Sequence, residues 1–440
     1  MRIGYCSPFN PMKSGISDFS EELVFALAEH VEIVIFSPVK PHKKELWNRF
    51  EIHKLSELDD ETVRSSLDLI VYHIGNNVNY HGEIVDMLAK YPGIAELHEL
   101  GLHHLAAART LETKGKESYM EMVRYCHGER GIKIAQTFFD GNSGAPWNDH
   151  AIDMCMARPY IEQAKGVIVH AEMIKQMVLG IRSNIPITNI MLHSLDMVQD
   201  SKQFQVECRT KLKLDHKLLI MGSFGFATSA KRILPTLDAL AKLKKKQDKF
   251  LYVLVGEVEK DIAIKKELEV RNLTENVIVT GFASLEDFKL YMGACDFCFN
   301  LRYPTQGESS ASLHRMLGMG KPAIVTDIGT FGDYPDDVVL KVRYDDNEVE
   351  DIYQAVSLLI KDQKELKQRG EKALQFAREH CDLTKNAKIY ADFFRQVQEG
   401  TWQSDYEDTV ITRLCELGLT DRFYLEHIYQ VVSEYFECTK

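Results

Sequence analysis

Leu218-Leu219-Ile220-Met221-Gly222-Ser223, followed by Phe224-Gly225-Phe226-Ala227-Thr228-Ser229-Ala230 and then by Lys231-Arg232 and on to Lys246, is the stretch that decides the fold. A short apolar run ends in glycine and small residues, and a longer stretch with helical spacing follows it. Such a strand–loop–helix unit is half of a βαβ crossover. Downstream the pattern repeats, with strands at Leu251–Gly256, Val277–Thr280, Asp296–Leu301 and Pro322–Thr326. Helical stretches at Asp261–Arg271, Leu285–Ala294 and Ser310–Met319 separate them, and a long helix runs from Val349 to His380. Upstream, strands at Ile3–Cys6, Val31–Phe36, Leu67–His73 and Gly166–His170 alternate with a helix over Ser17–His30 and an apolar stretch ending at Leu97-His98. Residues 99–165 read as helical and polar, an insertion or flap. Alternation of this kind predicts parallel sheets buried on both faces. The expected fold class is α/β: two Rossmann-like, doubly wound domains over 1–195 and 196–399, with the boundary near Leu192–Ser201. Sheets of this type bind ligands at the carboxyl ends of their strands, so the site is expected in the cleft between the domains.

Composition narrows the class. The chain has 440 residues, too many for one hydrophobic core, and is 45% hydrophobic and 27% charged, the profile of a globular protein. A formal charge of -12 argues against a nucleic-acid partner, which would require a basic stripe. The nine cysteines are scattered and odd in number, which suits a reducing compartment. Met1 to Pro8 lacks the order of charged lead, apolar run and cleavage site, so no signal peptide is expected. No apolar stretch approaches the roughly 18 residues of a spanning helix. The expected location is the cytoplasm, with the inner face of a membrane as the alternative. Residues 400–440 form an expected helical extension, in which Arg422–Phe436 carries Leu425, Ile428, Val432 and Tyr435 on one face. Packing on its own domain is the simpler expectation, and a homo-oligomer contact is the alternative.

Several chemical-looking signals fail on spacing. His98 and His103 stand at i and i+5, whereas a zinc-protease helix needs i and i+4. Cys295 and Cys298 have no second pair at zinc spacing and read as core fillers. Gly318-Met319-Gly320-Lys321 lacks both the spacing and the Ser or Thr of a phosphate loop. Neither G-x-G-x-x-G nor G-x-S-x-G occurs, which disfavours nicotinamide dehydrogenases and serine hydrolases. The run Lys242 to Lys246 reads as a solvated helix end, with a membrane-docking patch as the rival.

Three strand-to-helix junctions carry the chemistry. Ser7 to Asp18 is a loop whose Gly15 stands directly before a helix, so its amides can approach a phosphate. Gly222 to Arg232 places two cations where a helix opens, an unfavourable position unless an anion sits there. Arg302 to Pro322 runs from a strand into a polar loop with Glu308, then into a helix that begins in small hydroxyl residues. Amides at Ser309, Ser310, Ala311 and Ser312 can cradle an anion, while Glu308 suits neutral hydroxyls. The competing reading is a capped helix with Glu308 beside its own N-terminus.

Together these residues resemble the nucleotide-sugar glycosyltransferases of family 4, over most of residues 1–399. The resemblance rests on Lys13 to Asp18, Leu97-His98-Glu99, Gly166 to Ala171, Lys231, Gly281-Phe282 and Pro304 to Pro322. It implies the GT-B architecture and retaining transfer from a UDP- or GDP-sugar to a glycan or lipid-linked glycan acceptor, without a required metal or other cofactor. That is work typical of polysaccharide biosynthesis. On this resemblance His98, Lys231 and Glu308 form the catalytic set. Gly15 and Ile16 would face the donor phosphates across the cleft. Lys231, assisted by Arg232, would neutralise the leaving diphosphate, and Phe282 would contact the base. Glu308 would hold the donor sugar's hydroxyls, with Ser309, Ser310 and Ala311 behind the phosphates, and His98 would meet the sugar near its reacting carbon.

The chain departs from that pattern twice. The family's Glu-x7-Glu has Arg315 where the ribose-binding glutamate belongs, so Arg315 is counted among the expected donor-binding residues, and Glu308 stands seven rather than eight positions before it. Many members also carry an arginine ahead of the phosphate-binding lysine, where this chain reads Phe224-Gly225-Phe226. Two rivals therefore stay open: a nucleotide-sugar epimerase or hydrolase, and a catalytically silent GT-B subunit that binds a partner.

Overall fold

The structure, a computed structural model, describes residues 1–402. It contains two parallel sheets. The first is built from β1 (Arg2–Cys6), β2 (Glu32–Ser37), β3 (Glu51–Lys54), β4 (Leu69–Ile74), β5 (Ile94–Leu97), β6 (Gly166–Val169) and β7 (Ile187–Asn189), in the order β3-β2-β1-β4-β5-β6-β7. The second is built from β8 (Leu219–Phe224), β9 (Phe250–Val255), β10 (Val277–Gly281), β11 (Phe297–Asn300), β12 (Ala323–Thr326) and β13 (Val339–Val342), in the order β10-β9-β8-β11-β12-β13. Each sheet grows outward in both directions from its first strand, so each has one switch point, between β1 and β4 in the first and between β8 and β11 in the second. Crevices for ligands open at such points, beyond the strands' carboxyl ends.

Apolar clusters cover both faces of both sheets, as runs such as Leu69–Ile74 and Phe250–Val255 require. The region between β5 and β6 is helical, as expected, and closes over a small core of its own that includes Tyr119, Val123 and Met154.

The structure departs from the sequence reading in places that have physical causes. The expected helix over 349–380 is two helices, Glu348–Lys361 and Gln363–His380. Asp362 separates them and caps the second, accepting from the amides of Lys364 and Glu365. A further helix, Leu383–Glu399, follows a second aspartate cap at Asp382. Chain order attaches it to the second domain, but its Tyr390, Ala391, Phe393 and Phe394 are buried with Leu23, Val24 and Leu27 on the first sheet. It straps the second domain to the first.

No helix among the described residues is long and apolar enough to cross a membrane. The expected helices at Val410–Leu419 and Arg422–Phe436, and any oligomer contact through them, lie outside the described residues. In the lysine run, Lys242 pairs with Glu350 at 3.0 Å, Lys244 donates to the Asn272 carbonyl at 2.6 Å and Lys246 lies over the Tyr353 ring.

Candidate active site

At the first switch point the loop after β1 ends at Ser14, whose hydroxyl accepts from the Ile16 amide at 3.2 Å and caps the helix Gly15–Leu27. A Cβ added at Gly15 would meet no atom within 4 Å, so this helix start opens onto free space. Ile16 lies against the loop after β4, since a Cβ on Gly75 would stand 2.7 Å from its Cδ1.

Beside it, β4, β5 and β6 send titratable groups into one buried cluster. His73 Nδ1 lies 3.1 Å from His98 Nε2, and the His98 ring also packs against Phe19 and His170. Glu96, on β5, is fully buried and accepts a hydrogen bond from the Tyr390 hydroxyl at 2.7 Å. His73 and His170 each approach its carboxylate to 3.4 Å. His170 Nδ1 donates to the Ile190 carbonyl at 2.7 Å, which leaves its Nε2 bare in the neutral ring. Burial pushes the Glu96 carboxyl up to about 8 and the His170 imidazole down to about 4. Burial likewise holds His73 and His98 well below the usual imidazole range. At neutral pH this wall presents uncharged hydrogen-bonding groups.

His73, Glu96 and His98 have ligand atoms within 4.8 Å of one another, a spacing a metal ion could use. A ligating imidazole donates its other N–H to a partner, yet His73 Nε2 is buried without one. The 3.1 Å contact between the two rings is itself a hydrogen bond, and the cluster reads as hydrogen-bonded histidines around a neutral acid.

The second switch point is cationic. Lys231 closes a single turn of 3-10 helix, Ser229–Lys231, and donates to the Phe224 carbonyl at 2.6 Å. Burial, and after it the charge of Arg302, lowers the Lys231 ammonium to about 7. No carboxylate among the described residues pairs with it. Gly225 has φ of 84°, and a Cβ there would stand 2.8 Å from Lys231 Nζ, so both backbone and space call for glycine. Arg232 is not in the first helical turn. It adopts φ of 54° as the cap of the helix Ile233–Lys244 and is engaged by Glu348 through two hydrogen bonds of 2.8 and 2.5 Å. The expected pair of helix-opening cations is thus one free lysine and one tethered arginine.

At the third junction Glu308 accepts from the Thr305 hydroxyl at 2.9 Å and the Gln306 amide at 2.7 Å, and lies 3.0 Å from Arg302 Nε. Ser310 caps the helix Ala311–Gly318 by accepting from the Leu313 amide, and Ala311 is exposed at its start. Ser309 donates to the His170 carbonyl at 3.0 Å, and the Gly101 amide donates to the Gln306 carbonyl at 2.7 Å. This loop therefore lies directly on the histidine wall. His98, His170, Ser309, Glu308, Arg302 and Lys231 form one contiguous chain of neighbours across the cleft.

Arg315 stands elsewhere. It pairs with Asp196 and, at 3.4 Å, with Glu22 on the helix Gly15–Leu27, so it ties the domains together. Phe282, beyond β10, is 82% exposed. Phe226 is exposed on the neighbouring loop, and Gly256 holds the loops of β8 and β9 in contact, since any Cβ there would strike the Gly225 carbonyl. Lys321 is buried and donates to the Cys295 carbonyl at 2.9 Å, so the Gly-rich stretch before it holds no anion, and Cys295 and Cys298 are core residues.

Sequence reading passed over Arg302, His73 and Glu96. A carboxylate inside Ile94-Ala95-Glu96-Leu97, an otherwise apolar strand, is the signal that could have found the cluster.

Residues 205–376 match the family model described as glycosyl transferases group 1. No functionally curated protein matches the chain. Among solved structures, the chain is similar to sucrose-phosphate synthase (tll1590) from Thermosynechococcus elongatus, at 14% identity and a TM-score of 0.62, with 91% of this chain and 100% of that one covered. It is also similar to Anabaena Alr3699/HepE in complex with UDP, at 14% identity and a TM-score of 0.63, covering 90% and 100%. A glycosyltransferase from Rickettsia africae ESF-5 aligns at 14% identity and a TM-score of 0.61, covering 90% and 98%. Residues 205–376 thus carry a glycosyl transferases group 1 domain, and the chain as a whole has the two-domain GT-B fold.

Proposed function

We propose that the protein is a retaining glycosyltransferase that moves a sugar from a UDP- or GDP-sugar to a glycan or lipid-linked glycan acceptor, with no metal on the donor phosphates. The observation that carries this reading is Lys231, an ammonium partly withdrawn from water at a switch point, without a carboxylate among the described residues and beside a second cation. A cation so placed gains most when an anion arrives, and a leaving diphosphate develops its charge there. At the start of the helix Gly15–Leu27, where the Ile16 amide is capped by Ser14, the Gly15 amide and the positive end of the helix dipole face the same phosphates from the other domain. The Anabaena protein, which shares the fold, has been seen with UDP and with UDP-glucose.

Chemically the chain then supplies positioning and charge stabilisation. Lys231 neutralises the departing phosphate, which takes the acceptor's proton, and neutral His98 offers a hydrogen bond to the sugar. Phe282, exposed at the cleft edge, suits stacking on a base. No protein nucleophile is required. A silent binding subunit is favoured only by Arg315, which occupies the place of the family's ribose ligand and is tied to Asp196 and Glu22.

Measuring turnover of UDP- and GDP-sugars with and without glycan acceptors separates these readings. Donor consumption that requires an acceptor supports transfer. Consumption without any acceptor points to a hydrolase or epimerase, and binding without consumption to a silent subunit.

A further inference from the structure

Arg302 follows β11, the strand that pairs with β8 in the register Phe299 opposite Ser223. The next residue, Tyr303, donates its amide to the Ala230 carbonyl at 2.8 Å, and Ala230 directly precedes Lys231. The backbone segments that carry Arg302 and Lys231 are therefore hydrogen-bonded side by side. The Arg302 side chain is 17% exposed, and Glu308 lies 3.0 Å from its Nε. Glu308 is itself held by the Thr305 hydroxyl and the Gln306 amide, so it faces the Nε edge of the guanidinium from a fixed position. The contact is an ion pair without hydrogen-bond geometry and leaves the buried Nε itself unbonded. No hydrogen bond among the described residues engages the two terminal nitrogens of Arg302, which are the fork that matches a phosphate. Two like charges on adjacent segments, one of them paired at a single edge and the other without any carboxylate among the described residues, leave an anion's place open between them.

We propose that Arg302 is a second phosphate-binding residue of the donor site, acting with Lys231 on the diphosphate, and that Glu308 is the residue that positions it. This rests on the nucleotide-sugar reading of the site. It changes the part assigned to Glu308: the carboxylate orients a cation toward the leaving group.

The test is calorimetric titration of the full chain with UDP, GDP and inorganic pyrophosphate, and with uridine and guanosine as controls. Arg302→Met should weaken the preferred diphosphate and pyrophosphate at least about tenfold, Arg302→Lys should recover part of that loss, and nucleoside binding should not change. Glu308→Gln should weaken pyrophosphate as well as the nucleotide, and combined with Arg302→Met should add little beyond it. Circular dichroism and melting of each variant exclude a folding defect, and Arg302→Lys keeps the test alive if the methionine variant does not fold. If Arg302→Met and Arg302→Lys bind both diphosphates within about twofold of wild type while Lys231→Met loses at least about tenfold, Arg302 only braces Glu308 and this proposal fails while the donor site stands. If Lys231→Met also binds like wild type, the donor-site reading itself fails. Loss of UDP-sugar binding in Glu308→Gln with pyrophosphate binding intact would return Glu308 to the sugar and refute its positioning role.

Discussion

The two switch points share a strand order and differ in charge. At the first, between β1 and β4, five groups that could ionise (His73, Glu96, His98, Glu99 and His170) are shifted by burial toward their neutral forms. At the second, between β8 and β11, Lys231 is half-buried, sits beside Arg302 and has only a carbonyl to bond. One wall has relaxed its charges by losing or keeping protons. The other keeps two cations side by side, of which Arg302 has Glu308 as an ion-pair partner and Lys231 has no carboxylate among the described residues. The same sheet topology therefore supplies a hydrogen-bonding surface on one side of the cleft and two neighbouring cations on the other, which is the contrast that the proposed sugar-diphosphate donor would use.

The comparison breaks most visibly at Lys231. Lys231→Ala should leave the fold intact and lower turnover about 10²–10³-fold, the loss typical of removing one group that stabilises a developing anion. Steady-state kinetics with the preferred donor checks this, and wild-type turnover would remove Lys231 from the site. Glu308→Gln comes next, with a loss of at least about tenfold, equivalent to about 1.4 kcal/mol in the transition state. Arg315→Glu, in contrast, would set three carboxylates together at Glu22, Asp196 and position 315, so melting temperature should fall with it.

Two pH experiments sharpen the contrast, one on each wall. With Lys231 at about 7 in the free protein and charged against a diphosphate, binding takes up a proton above neutrality. Nucleoside diphosphate affinity should then fall by up to about tenfold per pH unit above about pH 7, and the dependence should flatten in Lys231→Met. On the other wall, the Glu96 carboxyl is raised to about 8 from an unfolded value near about 4.3. The folded state keeps a proton that the unfolded chain releases, so this group costs stability as pH rises through that window, and the cost is complete above about pH 8. Glu96→Gln should gain on wild type by up to about 1.4 kcal/mol per pH unit between those limits. Urea unfolding at about pH 5 and about pH 8 reads the difference. The smallest expected effect is none: turnover should persist in EDTA, and a complete loss restored by magnesium or manganese would refute the metal-free mechanism.

How far the sequence carried these conclusions depended on local signal. Ten of the thirteen strands, the strongly apolar ones, were legible as apolar runs between turn signals. β3, Glu-Ile-His-Lys, is a polar edge strand, β7 has only three residues, and β13, Val-Leu-Lys-Val, is an edge strand interrupted by Lys341. The helix Leu383–Glu399 shows why chain order misassigns domains: it follows the second domain in sequence, but its aromatic face fits a groove on the first. Lys231 and Glu308 stood out in the sequence for different reasons: a cation where a helix opens runs against the dipole, and a carboxylate beside an expected anion cradle would repel a phosphate. Arg232 was placed among the phosphates by adjacency alone, and its left-handed backbone and Glu348, 116 residues away, turn it elsewhere. His73, Glu96 and His170 come from three strands, so no spacing in one segment could have gathered them.

The central claim is that the second switch point binds the diphosphate of a nucleotide. A thermal-shift comparison of UDP and GDP with uridine and guanosine, without added metal, tests it most directly. At about 100 times its dissociation constant the correct diphosphate should add about 2.7 kcal/mol to stability and raise the melting temperature, while its nucleoside does far less. Equal shifts from nucleoside and diphosphate, or no shift from either at millimolar concentration, would contradict the account.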